Sequence, residues 1–373
     1  MNYKLGDLVE LVTETNSDLK YGLNDIVGVT LEKQMIPTIA NLTQTDLDNF
    51  IIVHPKDFVY NPRTHGKKIG LGFNTMDRCF ISSWNNNTFR VKEKMSDVIL
   101  PEYLYMYFLR DRWDKEACFN AWGSSTVVLL WSSFCNIEIN VPSIVEQRRI
   151  VHDYQVITDR IELLRKMNDN LFYVMNTIYY KWFVRYDPFG GVKPDEWLDG
   201  KIEDIADFYD YLRRPLSGEE REGMQKLYPY YGAISIVDYV DDYLFDDTYV
   251  LLSEDGANIL DENGHPALQF IHGKVWVNNH AHVLKAINGF SDASLYVFLS
   301  NTQMQSIVTG AAQPKINQEN LRSFPVTVPE IKTMTEFNKL VNPLFMKVSQ
   351  NNDEIDKLKR LSVLFFSQMS KGA

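Results

Sequence analysis

The chain repeats its own frame 187 residues apart. Gly123 stands 19 residues before Pro142, and Gly310 stands 19 residues before Pro329. In both copies the stretch leading to the proline alternates apolar and polar residues (Ile137, Ile139, Val141; then Phe324, Val326, Val328), the period-2 pattern of a half-buried strand. Each proline opens a long segment of helical periodicity. A period of this length is a duplicated domain, too long for a solenoid repeat.

The spacing continues into those helices, where apolar residues step by alternating fours and threes, the 3.5-residue repeat of a coiled-coil seam. The first seam runs Ile150, Tyr154, Ile157, Ile161, Leu164, Asn168, Leu171, Met175, Ile178, Trp182. Shifted by 187, the second runs Phe337, Val341, Leu344, Val348, Asn351, Ile355, Leu358, Ser362, Phe365, Met369. If the helices pair antiparallel along this shared length, facing residues have numbers summing to 519, which places Asn168 opposite Asn351. A buried pair of amides lowers stability but fixes register, because a slip leaves them without partners.

These patterns predict an α+β chain with internal pseudo-twofold symmetry. A mixed, strand-rich module occupies 1–141, a first helix 142–186, a second module 192–328 and a second helix 329–373. Asp187-Pro188-Phe189-Gly190-Gly191 breaks the first helix. The 33 residues from Ile150 to Trp182 would span about 50 Å, the length of roughly 14 base pairs of duplex.

The 373 residues and 45% hydrophobic content suffice for two cored domains. With no apolar run near 18 residues and no charged-then-apolar leader at Met1, the expectation is a cytoplasmic chain without a membrane span. Cys79, Cys118 and Cys135 lack metal-type spacing and read as core thiols. A net charge of -11 argues against nucleic-acid binding by the chain as a whole, yet Tyr60 to Met95 holds seven basic residues against two acidic ones. That window also carries Trp84 and a run of asparagines able to stack on bases or reach their edges. From Asp195 to Glu262, by contrast, acids outnumber bases 19 to 5, which suits a basic protein partner or plain solvent.

The motifs YPYYGA (228–233), VLLSEDGANI (250–259), GKVWVNNHAHVL (273–284) and GAAQPKINQENLRSFPVTVP (310–329), set in the duplicated strand-proline-helix frame, resemble the DNA-sequence specificity subunits of type I restriction-modification systems. The likeness covers essentially the whole chain and is strongest in the second module and both helices. GSSTVVLLWSSFCNIEINVP (123–142) keeps the frame without the Gln-Pro-Lys-Ile-Asn core. The resemblance implies two target recognition domains that each read half of a bipartite site in double-stranded DNA. It further implies helices that set the gap and bind two methyltransferase subunits, with restriction and translocase subunits joining that core.

On this reading phosphate contacts position each module and base-edge contacts specify sequence. The candidates are Arg63, His65, Lys67, Lys68, Asn85, Asn86 and Arg90 in the first module, and Arg213, Arg214, Tyr231, Gln313 and Lys315 in the second. Asn168 and Asn351 serve helix register. A rival from another class is a protein-only scaffold or inhibitor paralogue that joins partner subunits without reading DNA.

No catalytic chemistry stands out. The methyltransferase Asn/Asp-Pro-Pro-aromatic loop is absent: YNPR (60–63) and YDPF (186–189) lack the second proline. Ile69-Gly70-Leu71-Gly72-Phe73 is glycine-rich but shows no supporting strand and helix context, so no cofactor is expected. His280 and His282 on one strand would face the same way and could hold zinc with His265 or His272. No carboxylate or cysteine stands at ligand spacing, and structural histidines, with no metal, are expected.

Overall fold

The computed structural model describes residues 1–38, 45–65, 68–123, 127–310 and 313–369. The chain divides into two compact units, one made of 1–162 with 355–373 and the other of 163–354. Among the described residues no helix is long and apolar enough to cross a membrane.

In the first unit the strand before Pro142, Glu138–Asn140, pairs antiparallel with Asn2–Lys4. The main sheet has four antiparallel strands in the order Val9–Leu11, Asn87–Val91, Phe58–His65, Lys68–Phe73. Alternation along these strands sends Phe58, Tyr60 and Phe89 to one face, where they meet Phe108, Trp113 and Phe134. All six are fully buried, and large aromatic areas of this kind dominate core energetics. The glycine-rich run Ile69–Phe73, for which the sequence showed no strand, is a buried one, and at Gly72 a Cβ would run into the side chain of Met35. The glycine is there for close packing of the Met35–Pro37 strand, not for a phosphate.

The first long helix, Ile144–Tyr179, is tied to this unit by Gln147, which is fully buried. Its amide donates to the Val98 and Pro142 carbonyls at 2.7 and 2.9 Å and accepts from Leu100 N–H at 2.9 Å. Val151 joins the core, and Tyr154 packs against Phe366 at 5.1 Å, so the last turns of the second helix belong here.

In the second unit the strand before Pro329, Pro325–Val328, pairs antiparallel with Leu198–Lys201. Two four-stranded sheets follow, in the orders Ala206–Phe208, Ala281–Ala286, Tyr249–Ser253, Leu268–Ile271 and Ile236–Val240, Tyr228–Tyr231, Lys274–Val277, Phe245–Asp246. The second long helix, Ile331–Met369, docks on its own module through Asn338, whose amide donates to the Gly289 carbonyl at 2.9 Å. Ser291, the N-cap of helix Asp292–Ser300, donates to Asn342 at 2.6 Å.

Here Phe337, Val341 and Val348 are buried against Met175 and Tyr179, as the seam requires. Phe345 is the fourth core residue where the 3.5 repeat named Leu344, which is only half-buried. The reason is a second neighbour: Phe345 also meets Phe270 of the sheet at 4.4 Å, so the apolar stripe is wider than a two-helix seam. Pro343, two residues before, cannot donate to the Lys339 carbonyl. In the same unit Asn351 Nδ2 donates to Asn168 Oδ1 at 2.8 Å, and Asn168 Nδ2 donates to Asn352 at 2.8 Å.

Candidate nucleic-acid interface

Sheet register decides which basic residues of the first unit stand together. Tyr60 pairs with Asn87 and Phe58 with Phe89, while His65 pairs with Lys68 around the hairpin. The hairpin end of Phe58–His65 and the turn that precedes Asn87 therefore lie at the same end of the sheet. Arg63, Lys68, Asn85 and Asn86 gather there, with Trp84 exposed beside them. Asn86 donates to Ser82 at 3.0 Å, which holds the turn. Arg63 and Lys68 are exposed, and among the described residues no carboxylate pairs with either. Lys67 and the side chain of His65 lie outside the described residues.

Arg90 is at the other end of its strand, opposite Glu10. Its guanidinium donates to Asp57 at 3.0 Å and meets His54 Nδ1 at 3.1 Å. Burial pushes the Asp57 carboxyl up despite the His54 amide and Arg90. A residue missed in the sequence lies nearer the basic end. Arg63 bridges to Val128, and Val128 to Trp122, which is exposed. Only the fold brings that indole close, through a strand pair outside the regular ladders.

In the second unit Arg213 is mostly buried. Its guanidinium reaches Glu254 at 2.6 Å, the Ala281 carbonyl at 2.7 Å and Asp210 at 3.3 Å. Lys315 reaches the other oxygen of Glu254 at 2.9 Å. The hairpin of Val308–Thr309 and Lys315–Ile316 is thereby stitched to the loop at Glu254, since Ile316 N–H donates to the Glu254 carbonyl at 2.8 Å and Gly256 N–H to that of Pro314 at 3.2 Å. Gln313 is exposed at its tip. Gly310 has a φ of +85° and a Cβ there would run into the Gln313 carbonyl, so this turn requires glycine. Arg214 and Tyr231 flank Val277: Arg214 N–H donates to its carbonyl at 3.2 Å, and Tyr231 pairs with it in the sheet.

Beneath the hairpin lies His282, fully buried, with Nδ1 2.6 Å from Asp210 and Nε2 2.9 Å from the Ile316 carbonyl. Both ring nitrogens are thus engaged, one by a carboxylate and the other by a backbone carbonyl. Burial works to raise the Asp210 carboxyl, but His282, the Val283 amide and Arg213 outweigh it and hold it below its ordinary value. Glu254 is likewise pushed up by burial and held down overall by Arg213, Lys315 and His282.

His280 precedes the strand Ala281–Ala286, is exposed and faces Asp255 at 2.7 Å, so the two histidines do not share a face. The carboxylates that spacing did not supply are supplied by the fold, for Asp210, Glu254 and His282 offer ligand atoms within 4.8 Å of one another. Arg213 and Lys315 already meet these carboxylates with positive charge, and both nitrogens of His282 are taken by Asp210 and the Ile316 carbonyl, so this donor set does not fit a metal ion.

Residues 194–360 match the family model of the type I restriction modification DNA specificity domain. A Haemophilus influenzae protein named as a type I restriction enzyme specificity subunit is 29% identical over 155 residues, 42% of this chain and 38% of that protein. The MjaIX specificity subunit of Methanocaldococcus jannaschii is 22% identical over 71% of this chain and 67% of its own length. Thus the chain aligns with well under half of the first relative. The crystal structure of a type I restriction-modification S subunit from M. genitalium superposes with a TM-score of 0.53 at 15% identity, over 98% of this chain and 94% of that one, a likeness of fold. Over residues 194–360 the chain is thus similar to the DNA specificity domain of type I restriction-modification systems, and its fold is like that of a solved S subunit.

Proposed function

We propose that the protein is a non-catalytic subunit that reads a bipartite sequence in double-stranded DNA. Residues 1–141 and 192–328 each take one half-site. The helical segments 142–186 and 329–373 set the gap and carry two methyltransferase subunits, to which the restriction and translocase subunits add. The observation that carries this reading is the basic end of the first sheet, where Arg63 and Lys68 stand exposed beside Trp84 and without acidic partners among the described residues, in a chain of net charge -11. Exposed cations of this kind release counterions from phosphate, and indoles and amides meet bases.

Within the proposed contact set, Arg63, Lys68, Asn85, Arg214 and Gln313 reach outward. Arg90, Arg213 and Lys315 hold their loops through ion pairs and approach DNA from there. His65, Lys67, Asn86 and Tyr231 complete it. The test is to assemble the chain with methyltransferase partners and map methylated adenines in exposed DNA. Methylation confined to a split sequence of fixed gap is the expected result, and methylation without such a sequence overturns the reading.

A further inference from the structure

The acid excess of the second unit has no role in binding phosphate, and part of it lines a groove. After the first long helix, a π-helical turn (Tyr180–Val184) and a left-handed Tyr186 (φ 57°) fold the chain back. This brings Trp182 and Phe189 within 5.8 Å at 86°, and Phe189 and Trp197 within 5.2 Å at 77°. The three rings wall a cavity of about 310 Å³ at the start of the second long helix. A neighbouring cavity of about 420 Å³ is bounded by Asp199 and Asp204, and both cavities share Glu196 and Glu330 as a common wall.

Most acids around these cavities are occupied. Asp199 meets Lys193 at 3.1 Å, Asp204 accepts the Lys201 amide at 2.8 Å, and Glu336 meets Lys339 at 2.6 Å. Glu196 and Glu330 are exposed, and among the described residues neither has an ion-pair partner. Glu330 precedes the helix Ile331–Met369, where a carboxylate offsets the positive end of the helix dipole. Glu196 lies on a separate loop and has no such role.

Perpendicular indole and phenyl faces beneath two free carboxylates favour a flat, delocalised cation. A guanidinium stacks on aromatic faces and bonds carboxylates through its edge, more effectively than an ammonium does. Lys332 also lines the smaller cavity, so its free charges are two carboxylates against one ammonium, a balance that still favours a cation over phosphate. Two adjoining cavities with one acidic wall suit a chain carrying more than one cation better than a single small ion. We propose that this groove docks a basic segment of a partner polypeptide, with one arginine side chain among Trp182, Phe189 and Trp197 and its guanidinium against Glu196 and Glu330. The proposal does not depend on DNA recognition.

The test uses the full chain labelled with 5-fluorotryptophan, with ¹⁹F resonances of Trp182 and Trp197 assigned through the Trp182→Phe and Trp197→Phe variants. Acetyl-Arg-Gly-Arg-amide should shift both resonances saturably, and the Glu196→Gln/Glu330→Gln variant should bind it at least about tenfold more weakly. The Glu262→Gln control, at a distant exposed acid, should bind as the parent does. Acetyl-Glu-Gly-Glu-amide should cause no shift. Absence of saturable shifts, or equal binding by the double variant, overturns the proposal. Tetramethylammonium binding as tightly as the peptide would make this a small-cation site. Loss of self-association in the double variant, seen by sedimentation, would make the occupant a second copy of this chain. Either result overturns it too.

Discussion

Replacing His282 by leucine would remove two buried hydrogen bonds at once and leave the Ile316 carbonyl without its donor. The bond to Asp210 is charge-assisted and worth about 1.5–3 kcal/mol, and the bond to the carbonyl about 1 kcal/mol. Asp210 keeps Arg213, the Val283 amide and the Gln318 amide, so no unpaired charge is created and the loss should total about 3 kcal/mol. For a unit spanning residues 163–354 this corresponds to a fall in Tm of roughly 10 °C. The same energy, if carried by local opening, accelerates amide exchange at Ile316 by roughly a hundredfold. Calorimetry and hydrogen exchange on the variant measure both. His265→Leu, which removes only a surface contact with Asp261, serves as the control and should change stability by less than about 0.5 kcal/mol. Unchanged Tm and unchanged exchange at Ile316 would refute the claim that this network holds the hairpin.

Asp210 and Glu254 both titrate below their ordinary range, so their stabilisation is complete above about pH 4–5 and is lost as pH falls through the depressed values; urea titrations from pH 7 to pH 2 should show this acid limb, shallower in His282→Leu. Arg63→Ala with Lys68→Ala should weaken DNA binding by the assembled complex and reduce its log-log salt slope by about 2, whereas Arg90→Ala should in addition cost about 1–3 kcal/mol of stability, because Asp57 loses its guanidinium partner. Asn351→Ala should destabilise by about 2 kcal/mol in denaturant titrations, because Asn168 Oδ1 loses its donor. Inserting seven residues in both long helices adds about 10 Å and should lengthen the mapped gap by about 3 base pairs with both half-sites unchanged; altered half-sites would contradict the helices' role as spacers.

What the sequence revealed was what is local or periodic. Alternation before Pro142 and Pro329 marks strands because side chains alternate residue by residue, and the meeting of Asn168 with Asn351 follows from arithmetic on a helical repeat. Phe345 escaped that arithmetic because a sheet residue, Phe270, competes for the helix face. The Asp210–Glu254–His282 cluster was illegible for a different reason, since three separate segments supply it and no spacing rule connects them. Likewise charge composition marked the window around Arg63 as basic but could not tell exposed Arg63 from ion-paired Arg90. That distinction depends on which end of a strand each occupies.

The hairpin at Gln313 divides labour between neighbours. Its stems are fastened from below by Glu254, Asp210 and His282, while the exposed Gln313 side chain takes no part in the described fastening bonds. Exchanging Gln313 for another residue therefore leaves the fastening bonds intact and carries little penalty in folding. In the proposed reader, a substitution at Gln313 would change the surface offered to DNA without loosening the hairpin.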